Sequence, residues 1–444
     1  MKIKTRKSFI ILLIAILAIV CTAIFLSSSP ANNKSKNKPA NNIIEDNKID
    51  KKDDIKEDDV KKDTTAEDDN KKDSAVKDTT VKKNDTKKTT KNEHPDEDAI
   101  AEKANKILAR MTLREKLYQM FIVTPDTLSG EKNIKDFTPL LKKGIDAYPV
   151  GGIIFFAGNI ESSKQVKNLI EECNLQSEIP MFFATDQEGG MVARLKENVN
   201  FPIFRNMYKY KDMGEATAYE NAKTIAVNMA ELGFNLDFAP VADVWTNKEN
   251  TVIGERAYSD DYVQAAFLIE NAVKGFNDGG VICTLKHFPG HGNTYADTHK
   301  NLAYVSKTKE QLLNEELLPF KSGIKAGADM VMAGHLIVPE IDKENPATLS
   351  KALLTDLLKE DLGYEGIIIT DALNMGAVAN MYSSGQLCKM AVKAGVDILL
   401  MPIQLRAGAA GIESAVLSGE ISEERINESV LKILKLKIKR GIIK

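Results

Sequence analysis

The chain has 444 residues, a formal net charge of −3 and 28% charged residues, and it is too long for one ordinary compact domain. The charge is unevenly spread: residues 1–30 carry four cations and no acid, and the part able to fold is mildly acidic. The sequence therefore offers no basic field of the kind that binds nucleic acid. The four cysteines are scattered without a CxxC pair, which argues against a metal finger and favours buried thiols.

The amino-terminal segment predicts export. Its cations precede an uninterrupted apolar run of 18 residues from Phe9 to Leu26, which is long for a signal peptide and marginally long enough to span a bilayer. We interpret residues 1–30 as a signal or transmembrane anchor that places the following chain at the outer face of the cytoplasmic membrane or in the cell wall. Cleavage and retention both stay open, because Ser27 and Ser29 suit a cleavage site but the proline after them does not.

Residues 31–97 have the composition of a spacer. They contain no aromatic residue, and 35 of the 67 are charged, with Lys and Asp in short alternating runs. Such a segment cannot bury enough apolar surface to offset its chain entropy, so we predict a disordered Lys/Asp-rich linker. A charged tail that binds a partner is the alternative, but the mixed charge leaves no patch of one sign.

Residues 98–444 predict a single α/β catalytic domain. Thr112 to Glu115 form a capping box that opens a helix, and apolar runs then alternate with stretches of helical periodicity up to a final helix, Ser422–Lys439. Continuous apolar strands that alternate with helices imply parallel pairing, and eight of them imply a closed (β/α)8 TIM-type barrel. The predicted strands are Gln119–Thr124, Gly152–Phe156, Met181–Ala184, Leu236–Pro240, Val281–Leu285, Asp329–Met332, Gly366–Thr370 and Asp397–Met401, and the helices between them include Lys164–Cys173, Ala216–Leu232, Ala265–Phe276, Lys309–Lys325 and Lys351–Leu362.

The stretch from Lys286 to His299 concentrates chemically active side chains. It follows the predicted strand Val281–Leu285 and holds a Lys, three His and an Asp in fourteen residues, more polar groups than a hydrophobic core accepts unpaired. Asp297 and His299 are two residues apart, so in an extended segment both point to the same side. A carboxylate in that position orients an imidazole and stabilises its charge, which predicts a proton-transfer dyad.

Other predicted strands also end in reactive residues, and in a parallel barrel these ends gather at one face. Asp371 directly follows the apolar run Ile367–Thr370, where it is either at the barrel mouth or buried at heavy cost. We therefore predict Asp371 as a nucleophile and the Asp297–His299 pair as the general acid/base on facing loops. This is the layout of a retaining glycosidase in which imidazole replaces the usual second carboxyl group.

Four further residues at these strand ends are predicted to bind the substrate. Lys286, Arg194 and Arg256 would donate hydrogen bonds to ligand oxygens. Asp186 would accept hydrogen bonds from sugar hydroxyls. The predicted site therefore combines a nucleophile and a proton donor with a polar sugar-binding wall.

From Asp98 to its end, the chain resembles the β-N-acetylhexosaminidase branch of glycoside hydrolase family 3, the NagZ-type enzymes of bacterial cell-wall recycling. The match runs through DQEGG, IGERAYS, KHFPGHG with its D-x-H, GHLIVPEID and ITDALNMGAV. The resemblance implies a β-N-acetylglucosaminidase that acts by a two-step retaining mechanism, without metal or cofactor, on terminal N-acetylglucosamine linked to N-acetylmuramic acid in peptidoglycan fragments. We expect a monomer. The implied roles are Asp371 as nucleophile, His299 as acid/base, Asp297 as its partner, and Asp186, Arg256, Lys286 and His287 as sugar contacts.

The chain departs from the pattern of this family at three positions. Met191 stands where the family commonly has Arg, Asn293 where it commonly has Asp, and Thr298 where it commonly has Ser. The first two put outer contacts and loop hydrogen bonds in question, whereas the third keeps a hydroxyl. None of them touches the predicted nucleophile or dyad.

Two other classes of function are compatible with parts of the sequence. His287, His291 and His299 could form a zinc site, but the glycines on both sides of His291 suggest a tight turn that aims it inward as a structural hydrogen-bonding group. A catalytically inactive wall-binding module would have no need of a D-x-H sequence opposite an aspartate. Both readings are weaker than the glycosidase.

The linker interpretation predicts that removing residues 31–97 leaves the activity of the remaining soluble domain nearly unchanged. Its free energy of unfolding should change by no more than about 0.5 kcal/mol, the usual size of surface changes. Thermal unfolding of domains that begin before and after the segment measures this. A marked loss of stability would mean that the segment docks on the folded domain.

Overall fold

The computed structural model describes residues 97–295 and 302–444; the predicted anchor and linker lie outside these ranges except for Glu97. Within the described ranges, no helix is long and apolar enough to cross a membrane. The strands of this part are β1 (Phe121–Val123), β2 (Gly152–Ile154), β3 (Phe182–Thr185), β4 (Gln187–Gly189), β5 (Val192–Ala193), β6 (Leu236–Asp237), β7 (Thr284–Phe288), β8 (Ala303–Tyr304), β9 (Met330–Ala333), β10 (Leu336–Ile337), β11 (Ile367–Thr370) and β12 (Leu399–Leu400).

Helices separate most of these strands. The longer ones precede or follow the strands of the main sheets, in the alternation that the sequence predicts. The α-helices are Glu97–Leu108, Leu113–Gln119, Pro125–Ser129, Pro139–Ala147, Ser163–Gln176, Glu215–Glu231, Tyr262–Asp278, Lys309–Asn314, Leu317–Lys325, Gly376–Ala379, Ser384–Ala394, Leu405–Leu417 and Glu423–Lys439, with a π-helix at Ala352–Asp361.

Two parallel sheets form the centre of the domain. One has the order β12-β1-β2-β3-β6 and the other the order β11-β9-β7, and every strand pair within them is parallel. Single parallel bridges join Leu236 to Ile282, beside the edges β6 and β7, and Ile369 to Ile398, beside the edges β11 and β12. The predicted α/β architecture with parallel pairing is confirmed.

The central strands are buried on both faces. Every residue of β1, β2, β3, β9 and β11 is buried, which is why these segments read as continuous apolar runs instead of alternating ones. The helices pack one apolar face on them; the last helix, for example, buries Ile426, Val430 and Ile433. Cys173, Cys283 and Cys388 are free thiols inside this core, as the sequence indicates.

The structure corrects the boundary of the fifth predicted strand. The sequence placed this strand at Val281–Leu285, but β7 runs from Thr284 to Phe288. The Lys286 amide donates to the Pro240 carbonyl oxygen at 3.3 Å, and its carbonyl oxygen accepts from the Ala242 amide at 2.7 Å. Lys286 and His287 are therefore strand residues with fixed backbones and not part of a loop.

A second correction concerns the predicted helix Lys309–Lys325. It is divided into two helices at Glu315, whose φ of −130° and ψ of −96° are not helical. The carboxylates of Glu315 and Glu316 both turn to the partly buried ammonium group of Lys307, with a distance of 2.6 Å from its Nζ to Glu316 Oε1. Of the two carboxylates only that of Glu316 is buried, and its pairing with Lys307 outweighs the propensity for a continuous helix.

The predicted capping box is confirmed. The Thr112 hydroxyl accepts a hydrogen bond from the Glu115 amide at 3.3 Å, and the Glu115 carboxylate accepts one from the Thr112 amide at 2.7 Å. These two bonds satisfy donors that the first turn of any helix leaves unpaired. The helix therefore begins where the sequence indicates, directly before β1.

Lys437 is a buried amine at the amino ends of the central strands. Its side chain is fully buried, donates to Gln119 Oε1 at 2.9 Å and lies 4.9 Å from the centre of the Phe182 ring. Gln119 and Phe182 flank the starts of β1 and β3, so Lys437 adds a polar contact between the final helix and this end of the sheet. Burial lowers the pKa of Lys437 from 10.5 to about 7.

This pKa predicts a pH dependence of stability. The unfolded chain holds the proton of Lys437 more tightly than the folded protein, so the stability contributed at this residue rises between about pH 7 and about pH 10, by roughly 1.4 kcal/mol per pH unit. Lys437→Met should lack this rise, whereas the control Lys435→Met, on the same helix but partly exposed, should follow the wild type. Denaturant unfolding at several pH values measures the difference; a constant gap between Lys437→Met and the wild type would contradict the buried amine.

Candidate active site

The carboxyl ends of the central strands surround a cavity of about 340 Å³. This volume lies within the usual range for small-ligand sites. Six of the predicted site residues line it, namely Asp186, Arg194, Arg256, Lys286, His287 and Asp371. Predicted residues Asp297 and His299 lie outside the described residues. The structure thus brings together every predicted site residue that it describes.

Glu188 is the centre of the polar wall of this cavity. The guanidinium of Arg256 donates from Nε to Glu188 Oε2 and from Nη2 to Oε1, both at 2.8 Å. Lys286 Nζ lies 2.6 Å from the same Oε1 and 3.0 Å from Asp186 Oδ1. One carboxylate therefore joins the segment after β3, the segment containing Gly254–Arg256, and β7.

Burial and charge oppose each other in this cluster. Burial raises the pKa of Glu188, but the positive charges of Arg256 and Lys286 outweigh it and hold the pKa well below the ordinary value. Burial likewise lowers the pKa of Lys286, but Asp186 and Glu188 raise it above its ordinary value. Glu188, Arg256 and Lys286 are thus charged at neutral pH, and each of these charges is stabilised only while its partners stay in place.

Asp186 and Arg194 form the more open side of the wall. Arg194 Nη2 lies 3.6 Å from Asp186 Oδ2, and the guanidinium lies 5.6 Å from the centre of the Phe156 ring. Both side chains are only partly buried. They are therefore available to exchange hydrogen bonds with a ligand in the cavity.

Asp243 fixes the start of the KHFPGHG sequence. Its carboxylate accepts hydrogen bonds from the His287 amide at 3.1 Å and the His291 amide at 2.6 Å, and it contacts His287 Nδ1 at 2.7 Å. Burial raises the pKa of Asp243, but His287 and His291 outweigh it and lower the pKa below its usual value. The ionised carboxylate thus orients the His287 ring into the cavity and holds the chain that leads to the predicted dyad.

Asp371 directly follows β11 and lines the same cavity as Glu188, Lys286 and Asp186. The Ala372 amide donates to Asp371 Oδ1 at 2.7 Å, and the Ala372 carbonyl oxygen lies 3.0 Å from His335 Nε2. Burial raises the pKa of Asp371, but His287 and His335 and the Ala372 hydrogen bond lower it below its ordinary value. Asp371 is therefore ionised at neutral pH, as a nucleophilic carboxylate must be.

Asp237 is a further buried carboxyl group, and it contacts the segment that carries Asp186 and Glu188. It is fully buried at the end of β6, and its Oδ1 accepts from the Gln187 amide at 2.9 Å. Burial raises the pKa of Asp237 to about 8, so it is mostly protonated at neutral pH. It thus supports the β4–β5 hairpin without adding a negative charge under Asp186 and Glu188.

Sequence reasoning did not assign Glu188, Asp243 and His335 to the site. The signals were present: Glu188 is two residues beyond Asp186, so the two share one side of an extended segment, and the other two residues follow strands. What the sequence did not show is that Glu188 binds Arg256 and Lys286 at once. Arg256 and Lys286, which were predicted to bind the ligand, also form ion pairs with this carboxylate.

Two of the three positions that depart from the family pattern, Met191 and Asn293, are not among the residues that line the cavity. Met191 is 59% exposed on the outer side of the β4–β5 hairpin and is not among the residues that line the cavity. Asn293 donates from Nδ2 to Thr246 Oγ1 at 2.9 Å, so this amide takes over a loop hydrogen bond. Thr298 lies outside the described residues.

Within the described residues, no group of three or more His, Cys, Asp or Glu side chains has the arrangement of a metal site. The zinc alternative also involved His299, which falls outside them. His291 is buried, and its Nδ1 contacts Thr294 Oγ1 at 2.7 Å. This contact agrees with the predicted structural role of His291.

The chain is similar to known glycosidases. Residues 112–436 match the glycosyl hydrolase family 3 N-terminal domain. Beta-hexosaminidase A of Pseudoalteromonas piscicida is 34% identical over 330 residues, which are 68% of this chain and 55% of that protein. Beta-hexosaminidase of Idiomarina loihiensis is 33% identical over 295 residues, 65% of this chain and 88% of that protein.

Solved structures show the same similarity. The glycoside hydrolase family 3 beta-N-acetylglucosaminidase from Paenibacillus sp. str. FPU-7 has 36% sequence identity and a TM-score of 0.70, covering 75% of this chain and 64% of its own. The present chain thus spans just over half of the Pseudoalteromonas protein and somewhat less than two thirds of the Paenibacillus chain.

The charge cluster predicts that Glu188→Gln is strongly destabilising. The change leaves Arg256 and Lys286 buried beside a neutral amide, which should lower the free energy of unfolding by about 3–5 kcal/mol. Glu197→Gln, an exposed neighbour on the same segment, should change it by less than about 0.5 kcal/mol. Urea unfolding of both variants tests this. A loss below about 1 kcal/mol for Glu188→Gln would show that the cations find other partners.

Proposed function

This chain belongs to glycosyl hydrolase family 3, and on that premise we propose that it is an exo-acting, retaining β-N-acetylglucosaminidase. It removes terminal β-linked N-acetylglucosamine from peptidoglycan fragments and serves in cell-wall turnover and recycling. The observation that carries this proposal is the position of Asp371, an ionised carboxylate that lines a sugar-sized cavity together with Glu188, Lys286 and Asp186. The named relatives, beta-hexosaminidases and a beta-N-acetylglucosaminidase, support the choice of sugar.

We also propose that the two sheets close into one (β/α)8 barrel. The bridges Leu236–Ile282 and Ile369–Ile398 support closure at both seams between the sheets. In a closed barrel the carboxyl ends of all eight central strands face one mouth, which is where ligands bind in such folds. This arrangement accounts for the number of polar side chains that converge on one cavity.

The cavity wall holds the sugar through opposite kinds of hydrogen-bonding group. Asp186 accepts hydrogen bonds from ring hydroxyls, while Lys286, Arg194 and Arg256 have N–H groups that donate to hydroxyl or acetamido oxygens. Because the acids and bases of the wall already bind one another, they are held in place before the ligand arrives. Preorganised groups of this kind lose little entropy on binding.

In the first chemical step a carboxylate oxygen of Asp371 attacks the anomeric carbon. The bond from that carbon to the aglycone oxygen breaks, and His299 donates its proton to this oxygen, with Asp297 stabilising the imidazolium form beforehand. The product is a glycosyl ester on Asp371 and a free aglycone. The low pKa of Asp371 keeps it ionised for attack at neutral pH.

In the second step water attacks the same carbon and His299 accepts a proton from it. The ester bond to Asp371 breaks, and the carboxylate and the protonated imidazole are both restored. Two inversions give net retention of the β configuration. Two successive displacements at one carbon also explain why a single nucleophile and a single acid/base suffice.

We propose that the enzyme works outside the cytoplasm, at the outer face of the cytoplasmic membrane or in the cell wall. The cationic start and apolar run of residues 1–30 support this location, and the Lys/Asp-rich segment 31–97 supports a spacer between membrane and domain. Peptidoglycan lies in the same compartment. Protease added to intact cells should therefore reach the domain, and full protection would contradict export.

Because Asp371 and His299 have different proposed roles, replacing each of them should reduce turnover to a different extent. Asp371→Ala should abolish turnover of every substrate, because no glycosyl-enzyme can form. His299→Ala should lower the turnover rate of a natural glycan by roughly 10²- to 10⁴-fold, because its leaving oxygen needs a proton. On a nitrophenyl glycoside, which leaves without help, His299→Ala should give an early burst of nitrophenol and then a low steady rate.

Asp297→Asn serves as a milder comparison, since it keeps the imidazole but holds it less firmly. Burst and steady rates of the variants on both substrates provide the measurement, and the anomeric form of the sugar released tests retention. Equal losses of His299→Ala on both substrates without a burst, together with turnover by Asp371→Ala, would overturn these roles.

A further inference from the structure

A second groove lies on the other side of the β4–β5 hairpin from the catalytic cavity. Its volume is about 550 Å³. Val192 and Arg194 line the catalytic cavity, whereas Gly190 and Met191 from the same hairpin line the groove. The remaining lining residues of the groove are Lys196, Arg205, Asn206 and Lys209. One thin hairpin thus separates the sugar site from a strongly basic surface.

The positive charge of this groove is not balanced. Lys209 is paired with Glu255, which also accepts from Asn206 Nδ2 at 2.9 Å. Neither Lys196 nor Arg205 has an acidic side chain within ion-pair distance among the residues that the structure describes, and both are exposed. Two free cations beside an exposed apolar Met191 favour an anionic ligand that also has an apolar part.

Specific contacts between the hairpin and Asn206 fix the shape of the groove. Asn206 Oδ1 accepts from the Met191 amide at 2.8 Å, and a side chain at Gly190 would meet that oxygen at 1.9 Å. Glu255, which holds Lys209 and Asn206, is adjacent in the chain to Arg256 of the catalytic wall. The hairpin therefore borders both surfaces, and the Gly254–Arg256 segment supports both: Arg256 lines the catalytic cavity, and Glu255 holds two of the residues that line the groove.

We propose that this groove, formed by Met191, Lys196, Arg205 and Lys209, binds the carboxylate-bearing part of the aglycone. The ligand is an acidic peptide attached to the leaving sugar, which passes over the hairpin while the terminal sugar occupies the catalytic cavity. This inference rests on the proposed function, because it assigns the aglycone of that reaction. Met191, where the family commonly has Arg, contributes apolar contact instead of a third free cation.

The test compares two substrates that differ only in charge. One is a disaccharide whose leaving sugar carries a peptide with free carboxylates, and the other has the same carboxylates converted to amides. The wild type should prefer the acidic substrate by about 10-fold in kcat/KM, mainly through KM, as expected for two solvent-exposed charge contacts. Raising the salt concentration from about 0.05 M to about 0.5 M should reduce this preference by screening.

The double variant Lys196→Gln/Arg205→Gln should bring the ratio of the two kcat/KM values to within about 2-fold of unity, and Lys196→Glu/Arg205→Glu should reverse it. The control Lys164→Gln/Lys167→Gln removes the same charge from two exposed positions of the helix Ser163–Gln176 and should keep the wild-type ratio. A ratio that is the same in the wild type and the double variant would overturn the proposal.

A nitrophenyl N-acetylglucosaminide separates this inference from the function on which it rests. If the wild type does not cleave it, the proposed function itself is wrong. If the wild type cleaves it but treats the acidic and amidated substrates alike, only the aglycone assignment is wrong. Circular dichroism of each variant shows whether a lost preference comes from misfolding.

Discussion

The site depends on one constraint, which is that the buried carboxylate of Glu188 must be balanced where it lies. An unpaired charge in that position would cost several kcal/mol, so the fold has to bring Arg256 and Lys286 to it from two other segments. Once these contacts form, the positions of β7, the Gly254–Arg256 segment and the hairpin after β3 are fixed relative to one another. Asp186, two residues before Glu188, is thereby held at the cavity wall. The arrangement of the groups that we propose to bind the sugar thus follows from charge compensation around Glu188.

Asp243 acts in the same way on the neighbouring KHFPGHG segment. It gathers two backbone amides and one imidazole, so the chain must curl around it. The curl leaves no space for side chains: a β-carbon at Gly292 would lie 1.8 Å from the Val244 carbonyl oxygen, and Gly290 has a φ of +118° beside Glu316. Glycine is therefore required at both positions. The tight turn inferred from the sequence is explained by a buried anion that the sequence did not assign.

Much of the fold could be predicted because it depends on local pattern. Apolar runs marked the central strands, and Thr112 with Glu115 marked a helix start, since both signals lie within a few residues. The predictions were wrong where the local structure depends on residues that are distant in the sequence. β7 extends to Phe288 because another segment pairs with it, and the helix after Lys307 breaks because two glutamates reach back to that lysine. For the same reason the residue types of the site were predictable from motifs, whereas the network among them was not.

If the two proposals above hold, the two surfaces beside the hairpin divide the recognition of one substrate by charge. In the catalytic cavity each cation has an acidic partner, so the neutral sugar of the proposed function would be held by directional hydrogen bonds, with little long-range attraction. In the outer groove Lys196 and Arg205 carry charge without acidic partners among the described residues, and their field extends over roughly a Debye length of about 8 Å in physiological salt. Directional bonds discriminate between sugars by the placement of hydroxyl groups, whereas a solvated field discriminates between aglycones by charge and tolerates variation in their shape. Because Lys196 and Arg205 take no part in the contacts around Glu188, these two residues can be replaced without disturbing the charge balance there.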